Sequence, residues 1–134
     1  MNIKSPKEIT AATLQIGINK AGMPLPRLLI QAVQAGAFIA FGGIMSLIVG
    51  FDFPEITEAN PAMQKLFSGM VFPIGLILVV VLGAELFTGN NALLIPAYMN
   101  RQCSVRQILR NWTAVYFGTF AGALLFAWLL VYAV

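Results

Sequence analysis

The residues best placed to do chemistry in this sequence form one short polar stretch inside an apolar region. Glu85 is followed closely by Thr88-Gly89-Asn90-Asn91, with apolar residues on either side. The carboxylate has no second acid, thiol or imidazole beside it, and the chain contains no histidine, the commonest general base and transition-metal ligand. We therefore expect no enzyme activity, no metal and no cofactor, and we interpret the stretch as part of a polar pathway.

This polar stretch lies in a segment that is too long for one membrane crossing. From Leu66 to Met99 there are 34 residues, which would span about 50 Å as one helix, against a hydrocarbon core of about 30 Å. Thr, Gly and Asn are poor in helix interiors and good in turns, so we predict a helix broken between about Glu85 and Asn91. Non-helical backbone at membrane depth is tolerated where it is buried or lines a watery cavity, so the break points to a pathway.

Glu85 would be an acidic group deep in a membrane. Such a group costs about 2.5 to 3.5 kcal/mol on insertion scales and usually faces the interior of a helix bundle. Two interpretations stay open. Glu85 either faces the pathway, or it accepts hydrogen bonds from the freed backbone of the break and never touches what passes.

The composition makes the bilayer the solvent of this chain. Apolar residues make up 59% and charged residues only 10% of it, against about 25% charged residues in an average soluble domain. Three stretches reach the length of about 20 apolar residues that a spanning helix needs: residues 28–49, a second beginning near Leu66, and residues 112–134. We predict an all-α membrane protein with a cytoplasmic N-terminal helical segment, residues 1–27, and a three-span transmembrane domain, residues 28–134.

The N-terminal segment opens with Ser5-Pro6-Lys7-Glu8, a pattern typical of a helix N-cap followed by proline and a capping-box glutamate. We predict a short amphipathic helix on the inner membrane surface, with a weakly apolar face that includes Ile9 and Ile16, ended by Gly22 and Pro24. The polar character of this segment does not match a cleaved secretory signal.

The positive charges predict the orientation of the chain. Seven of the eight Lys and Arg residues precede span one or lie between spans two and three, and only Lys65 lies on the other side. The positive-inside rule then places the N-terminus in the cytoplasm and the C-terminus outside, in a multi-pass protein of the cell inner membrane. The basic pI reflects this topology, and no nucleic-acid partner is predicted.

Small residues recur at every fourth position in spans one and three, which permits close helix packing. The positions are Ala32, Gly36 and Ala40 in span one and Ala114, Gly118 and Gly122 in span three. Two such stripes in three spans favour a tightly packed bundle.

Three stretches of sequence resemble the formate/nitrite transporter family. They are Phe72-Pro73-Ile74-Gly75-Leu76-Ile77-Leu78, Gly83-Ala84-Glu85-Leu86-Phe87-Thr88-Gly89-Asn90, and Asn111-Trp112 followed by Val115-Tyr116-Phe117-Gly118. The resemblance extends from the basic N-terminal helix through span three. The joint presence of the broken-helix motif and the later NW and VYFG stretches is specific to this family.

The resemblance implies an aquaporin-like channel fold of six spans, built from two inverted three-span repeats and assembled as a homopentamer with one pore per protomer. Family members conduct formate, nitrite, hydrosulfide or related small monovalent anions. By motif position, the pore constrictions would be formed by Phe72, Leu76, Leu86 and Phe87. The anion-facing residues of the helix break would be Thr88, Gly89 and Asn90. Apolar rings form a dewetted barrier, and hydroxyl and amide donors at a break suit an anion.

The resemblance covers only the first of the two repeats. The second repeat of the family carries another broken helix and a pore-facing histidine, and this chain contains neither. Thr88 therefore lacks the histidine to which its family counterpart would hydrogen-bond, and we interpret the chain as a half-length or truncated copy. The one-sided charge distribution argues against two copies that pair in opposite orientations.

Two other interpretations compete with an anion pore. Asn60-Pro61-Ala62 matches the aquaporin signature, but it follows Glu58 in the acidic outer loop, and we interpret it as an N-cap with proline at the first helical position. The main alternative function is a non-conducting membrane assembly or scaffold subunit. A scaffold has no need of a polar break flanked by Leu86 and Phe87, so the sequence favours a pore.

Overall fold

Helices form nearly all of the structure, a computed structural model that describes residues 4–133. In chain order they are α1 (Pro6–Ala21), α2 (Leu25–Phe51), α3 (Pro54–Ala59), α4 (Pro61–Val71), α5 (Pro73–Leu82), α6 (Phe87–Met99) and α7 (Val105–Ala133). Three stretches within the described residues are long and apolar enough to cross a membrane: Leu25–Phe51, Pro61–Leu82 and Val105–Ala133. The prediction of an all-helical membrane protein with three spans is confirmed, although each span begins several residues earlier than predicted because the helices continue into the flanking polar residues.

The first helix begins as the sequence predicts. The Ser5 hydroxyl accepts a hydrogen bond from Glu8 N, and the Glu8 carboxylate accepts one from Ser5 N at 2.6 Å, which completes a capping box. The hydrogen bond from the Ser5 backbone, helped by that from its hydroxyl, lowers the pKa of Glu8. The cap is therefore fully formed at neutral pH and is lost only as the pH falls through this lowered pKa. Gly22 ends the helix, as predicted.

The face by which α1 contacts the rest of the protein consists of small residues. Gly17 and Ala21 are buried, and a Cβ on Gly17 would overlap the carbonyl oxygen of Leu93 in α6. Ile9 and Ile16 remain exposed, so the helix packs on the bundle and keeps an apolar face open on another side. The predicted division after residue 27 falls inside α2, and it stays a prediction.

The two longest helices, α2 and α7, pack along each other through their small residues. A Cβ on Gly36 would overlap the carbonyl oxygen of Thr119, and a Cβ on Gly122 would overlap that of Val33. Five of the six predicted stripe positions are buried, namely Ala32, Gly36, Ala114, Gly118 and Gly122. The close packing of spans one and three is confirmed, with Ala40 as the half-buried exception.

Replacing Gly122 by alanine is expected to disrupt the α2–α7 pair. The new methyl group would collide with the Val33 carbonyl, and the helices cannot shift freely because Gly36 is equally close to α7. Overpacking of this kind costs about 1–3 kcal/mol. Gly43→Ala is the matched control, since a Cβ there meets nothing within 4 Å. Thermal unfolding followed by circular dichroism should show a lower Tm for Gly122→Ala only, and equal Tm values would contradict the packing.

The second span consists of α4 and α5, which are separated by Phe72 alone, with Pro73 as the first residue of α5. The Asn60 side chain accepts a hydrogen bond from Met63 N at 3.2 Å, and Pro61 is the first helical residue, so the N-cap interpretation is confirmed. The hydroxyls of Ser46 and Ser68 lie 2.8 Å apart and link α2 to α4. The second span is thereby fixed to the first near the end of the molecule that carries α3.

Span two ends at a break of four residues, 83–86, between α5 and α6. Gly83 adopts the left-handed conformation, with φ 66° and ψ 32°, which favours glycine and ends α5 at Leu82. Leu86 is extended, and α6 begins at Phe87. The predicted broken helix is therefore present.

The predicted bounds of the break, about Glu85 to Asn91, overlap the observed break only at residues 85 and 86. Thr88, Gly89 and Asn90 were expected in unwound backbone, but they form the first turn of α6. The helix tolerates Asn90 because its side chain bonds other side chains in the bundle and does not compete for the backbone. Gly83 breaks the helix in place of Gly89.

Candidate functional site

The non-helical backbone of the break is fixed to α2 and to the end of α5. Glu85 N donates a hydrogen bond to Gln31 O at 3.2 Å, and Gln31 Nε2 donates to Gly83 O at 3.3 Å. Ala84 N donates back to Val79 O at 2.9 Å. Protein groups thus satisfy much of the unwound segment, as membrane depth requires.

The first turn of α6 presents backbone N–H groups that have no helical acceptor. Asn90 N is the first to bond back, to Leu86 O at 2.9 Å, and no side chain in the described part of the chain caps the helix. Within residues 4–133 the N–H groups of residues 87–89 make no hydrogen bond. A helix N-terminus with free N–H groups carries a partial positive charge and suits an anion.

Four polar side chains beside the break form a closed network that joins α1, α6 and α7. Lys20 Nζ lies 2.5 Å from Glu85 Oε1, and Asn90 Nδ2 donates to Glu85 Oε2 at 2.7 Å. Asn90 Nδ2 also donates to Asn111 Oδ1 at 2.9 Å, and Asn111 Nδ2 donates to the backbone oxygen of Lys20 at 3.1 Å. Glu85, Asn90 and Asn111 are all at most 3% exposed, and the Lys20 side chain is 14% exposed, so most of the network is buried.

The partners of Glu85 were only partly foreseeable from the sequence. Its carboxylate accepts hydrogen bonds from two side chains, those of Lys20 and Asn90, in place of the freed backbone that one interpretation had assigned to it. Sequence reasoning missed Lys20 and Asn111 as members of the site. The signal available was that an intramembrane carboxylate needs a cation, and Lys20 lies in the last turn of the helix that precedes span one.

A cavity of about 520 Å³ opens beside the break. Six of the eight residues that the sequence predicted for the site line it: Leu76, Glu85, Leu86, Thr88, Gly89 and Asn90. Lys20 lines it as well, and so does Val80 on α5. The cavity therefore combines free backbone donors, a hydroxyl and a neutralised ion pair with an apolar wall.

Phe72 and Phe87, the other two predicted residues, lie elsewhere. Phe72 borders a separate groove between α2 and α7, together with Phe120. Phe87 packs against a buried cluster around Leu28, and its ring centroid lies 5.4 Å from that of Tyr116 in an edge-to-face arrangement. The structure therefore does not bring these two phenylalanines to the cavity.

Several buried oxygen atoms near the break make no hydrogen bond within residues 4–133. They are the side-chain amide oxygens of Gln31, Asn90 and Asn91. Buried polar atoms of this kind are normally satisfied by ordered water or by a further partner. The region beside the break is therefore one in which water is expected.

These features define a class of protein. A broken membrane helix whose N-terminus borders a cavity is the construction found in transporters and channels. The chain belongs to the formate/nitrite transporter family, since the profile of that family matches residues 7–134. The resemblance inferred from the motifs is confirmed.

Individual relatives agree with this family. The chain is 38% identical over 128 residues to the uncharacterized transporter YrhG of Bacillus subtilis, covering 96% of this chain and 47% of that protein. It is 35% identical over 133 residues to a protein named probable formate transporter of Methanothermobacter thermautotrophicus, covering 98% and 48%. It is 33% identical over 128 residues to the formate channel BtFdhC of Bacillus thuringiensis, covering 96% and 48%. The chain thus spans about half the length of these relatives, whose names describe transporters and channels rather than enzymes.

Proposed function

We propose that this protein supplies one half of a transmembrane path for small monovalent anions such as formate, nitrite or hydrosulfide. The observation that carries the proposal is the break at residues 83–86, which opens the N-terminus of α6 onto the cavity. The names of two relatives, a formate channel and a probable formate transporter, support this substrate class.

The break offers hydrogen-bond donors to an anion, and the site carries no net positive charge that would hold the anion too tightly. The N–H groups of residues 87–89 and the Thr88 hydroxyl make no hydrogen bond within residues 4–133. The charge of Lys20 is cancelled by Glu85 at 2.5 Å. An anion held by backbone and hydroxyl dipoles alone can leave again, as conduction requires.

Apolar side chains would narrow this path. Leu76 and Leu86 border the cavity next to the donors, and a closely spaced apolar ring excludes water and bare ions. Phe72 and Phe87 enter the proposal by motif position, since neither lines the cavity. Phe87 would then pack behind Leu86 and hold it in place. Phe72 would narrow the path one helical turn before Leu76 on the same span.

This chain would form only one wall of such a path, and a second half would form the other. On α5, Ile77, Val80 and Val81 are 57%, 72% and 73% exposed, an apolar surface next to the cavity that a second three-span half would cover. We propose an aquaporin-like arrangement of two inverted halves, on one polypeptide or on two, and a pentamer of the completed unit. In inverted-repeat transporters the path lies between the repeats.

The apolar spans and the basic residues bear on the cellular location and the membrane orientation of the protein. The protein is an integral membrane protein by its three apolar spans. We propose that it lies in the cell inner membrane with α1 and the loop between α6 and α7 in the cytoplasm, because seven of eight Lys and Arg residues lie on that side.

Replacing Leu86 by alanine in the completed transporter is expected to raise formate leak several-fold, because a smaller side chain widens and wets an apolar gate. Val131→Ala is the matched control, since Val131 is 74% exposed near the end of α7 and does not line the cavity. The measurement is formate uptake into liposomes. Equal uptake by both variants would remove Leu86 from the path, and no uptake by the unmodified assembly would favour the scaffold function.

A further inference from the structure

A second groove lies between α2 and the N-terminal half of α7, and none of its residues lines the cavity at the break. Its volume is about 820 Å³. The wall is apolar except at one end, where it includes two arginines and, deeper, one threonine. The residues that matter are Arg106 and Arg110 at the charged end and Leu25, Leu29, Leu109 and Phe117 along the wall.

The two arginines occupy one side of α7, a single turn apart, so their side chains can reach the same ligand. Arg110 Nη2 donates hydrogen bonds to Met23 O at 2.8 Å and to Ala21 O at 3.1 Å, which fixes the guanidinium at the rim of the groove. Arg106 is exposed and has no acceptor within residues 4–133. One guanidinium is thus positioned by the protein, and the other is free to bind.

The groove is charged at one end and apolar along its length, as a phospholipid is. Leu109 and Phe117 continue along α7 away from the arginine end, and both are more than half exposed. From Arg106 to Phe117 the helix rises about 17 Å, close to the depth of one leaflet of a hydrocarbon core of about 30 Å. The charged end therefore lies where a headgroup would be, with the apolar wall at the depth of the acyl chains.

We propose that this groove binds an anionic phospholipid, with the phosphate between Arg106 and Arg110 and one acyl chain along Leu25, Leu29 and Phe117. Guanidinium groups bind phosphate through paired, charge-assisted hydrogen bonds. Basic pockets between spanning helices on the cytoplasmic side are suited to anionic headgroups. The proposal does not depend on the transport function.

The distribution of acidic residues argues against a second copy of this chain as the occupant. Asp52, which follows α2, and Glu55 and Glu58 beyond it lie at the opposite end of α2 from the arginines. Glu85 is buried with Lys20, and Glu8 is engaged by Ser5. A copy in the same orientation would therefore bring no free carboxylate to the two guanidinium groups.

The test is retention of lipid by the purified protein, completed by its second half. The protein is reconstituted in phosphatidylcholine with a minor fraction of phosphatidylglycerol, extracted in mild detergent, and the bound lipids are counted by mass spectrometry. Arg106→Gln should lower retention of phosphatidylglycerol about fivefold, the loss expected for one basic residue near an anionic lipid. Leu109→Trp, which fills the groove without changing the charge, should lower it as well.

Arg101→Gln is the matched control, because it removes one positive charge from the same side of the membrane outside the groove. It should retain phosphatidylglycerol as the unmodified protein does. Equal retention of phosphatidylglycerol and phosphatidylcholine by the unmodified protein would overturn the proposal. An equal loss in Arg101→Gln and Arg106→Gln would also overturn it, because it would show general attraction of the lipid to a basic surface. The proposal would likewise fail if a photo-cross-linking group placed at position 109 captured a protein partner.

Discussion

Replacing Lys20 by methionine is expected to destabilise the protein by about 3–5 kcal/mol, because Glu85 then keeps a buried charge without a counter-ion. The Glu85 side chain is 4% exposed, and its Oε1 lies 2.5 Å from Lys20 Nζ. Removing one partner of such a pair costs more than the pair itself contributes, since the remaining carboxylate cannot regain its hydration. The loss should appear first as detachment of α1 from the bundle.

The matched control for this change is Lys7→Met, which removes one lysine from the exposed side of the same helix. Melting of the purified variants in detergent, followed by circular dichroism, should show a large fall in Tm for Lys20→Met and almost none for Lys7→Met. Equal Tm values in the two variants would show that the buried ion pair does not fix α1.

The double variant Lys20→Met with Glu85→Gln separates the charge from the packing. With both charges removed, the glutamine can still accept a hydrogen bond from Asn90, so part of the lost stability should return. Residues in one buried network couple by about 0.5–3 kcal/mol. A double variant whose loss equals the sum of the two single losses would show that Lys20 and Glu85 do not interact.

The spans of this fold could be predicted because the membrane imposes a simple rule on composition. Apolar stretches of the required length lie in Leu25–Phe51 and Val105–Ala133. Gly36 and Gly122 each belong to a series of small residues at every fourth position of its own helix, which lets two helices pack closely. The helix caps at Ser5 and Asn60 could also be predicted from the sequence, because each cap depends only on residues within four positions of it.

The exact position of the helix break could not be predicted from local propensity. Gly83 and Gly89 are both suited to interrupt a helix, and residues 88–91 have the poorer helix propensity of the two regions. Tertiary contacts decide between them, since Asn90 lies in the first turn of α6 and its side chain hydrogen-bonds to Glu85 and Asn111 there. Propensity is a weak prior that such contacts override.

The ion pair at the site could not be predicted with certainty for a related reason. Lys20 and Glu85 are 65 positions apart, and Asn111 lies 91 positions from the backbone oxygen that it binds. A single sequence indicates that a buried carboxylate needs a cation but does not say which of eight basic residues supplies it. The Phe72 and Phe87 predictions rested on motif position alone, which gives no direction to a side chain.

Expressed by itself, this chain is expected to insert into a membrane and to give almost no anion flux. Insertion requires apolar spans and a charge bias, both of which are present. Conduction requires a closed path, and here the cavity at the break is bordered by Val80 and other exposed residues of α5 that no second half covers. Uncovered N–H groups at the N-terminus of α6 would meet lipid, at a cost of several kcal/mol for each unsatisfied group.

The most direct test of the proposed half-path is stopped-flow formate uptake into liposomes that hold this chain, with and without a separately expressed second half from the same family. We expect uptake at the level of empty liposomes for the chain alone. With the second half present, the two should co-purify and formate uptake should exceed sulfate uptake at least tenfold, about 1.4 kcal/mol of discrimination. Rapid, selective uptake by this chain alone, or no uptake by the co-purified halves, would contradict the proposal.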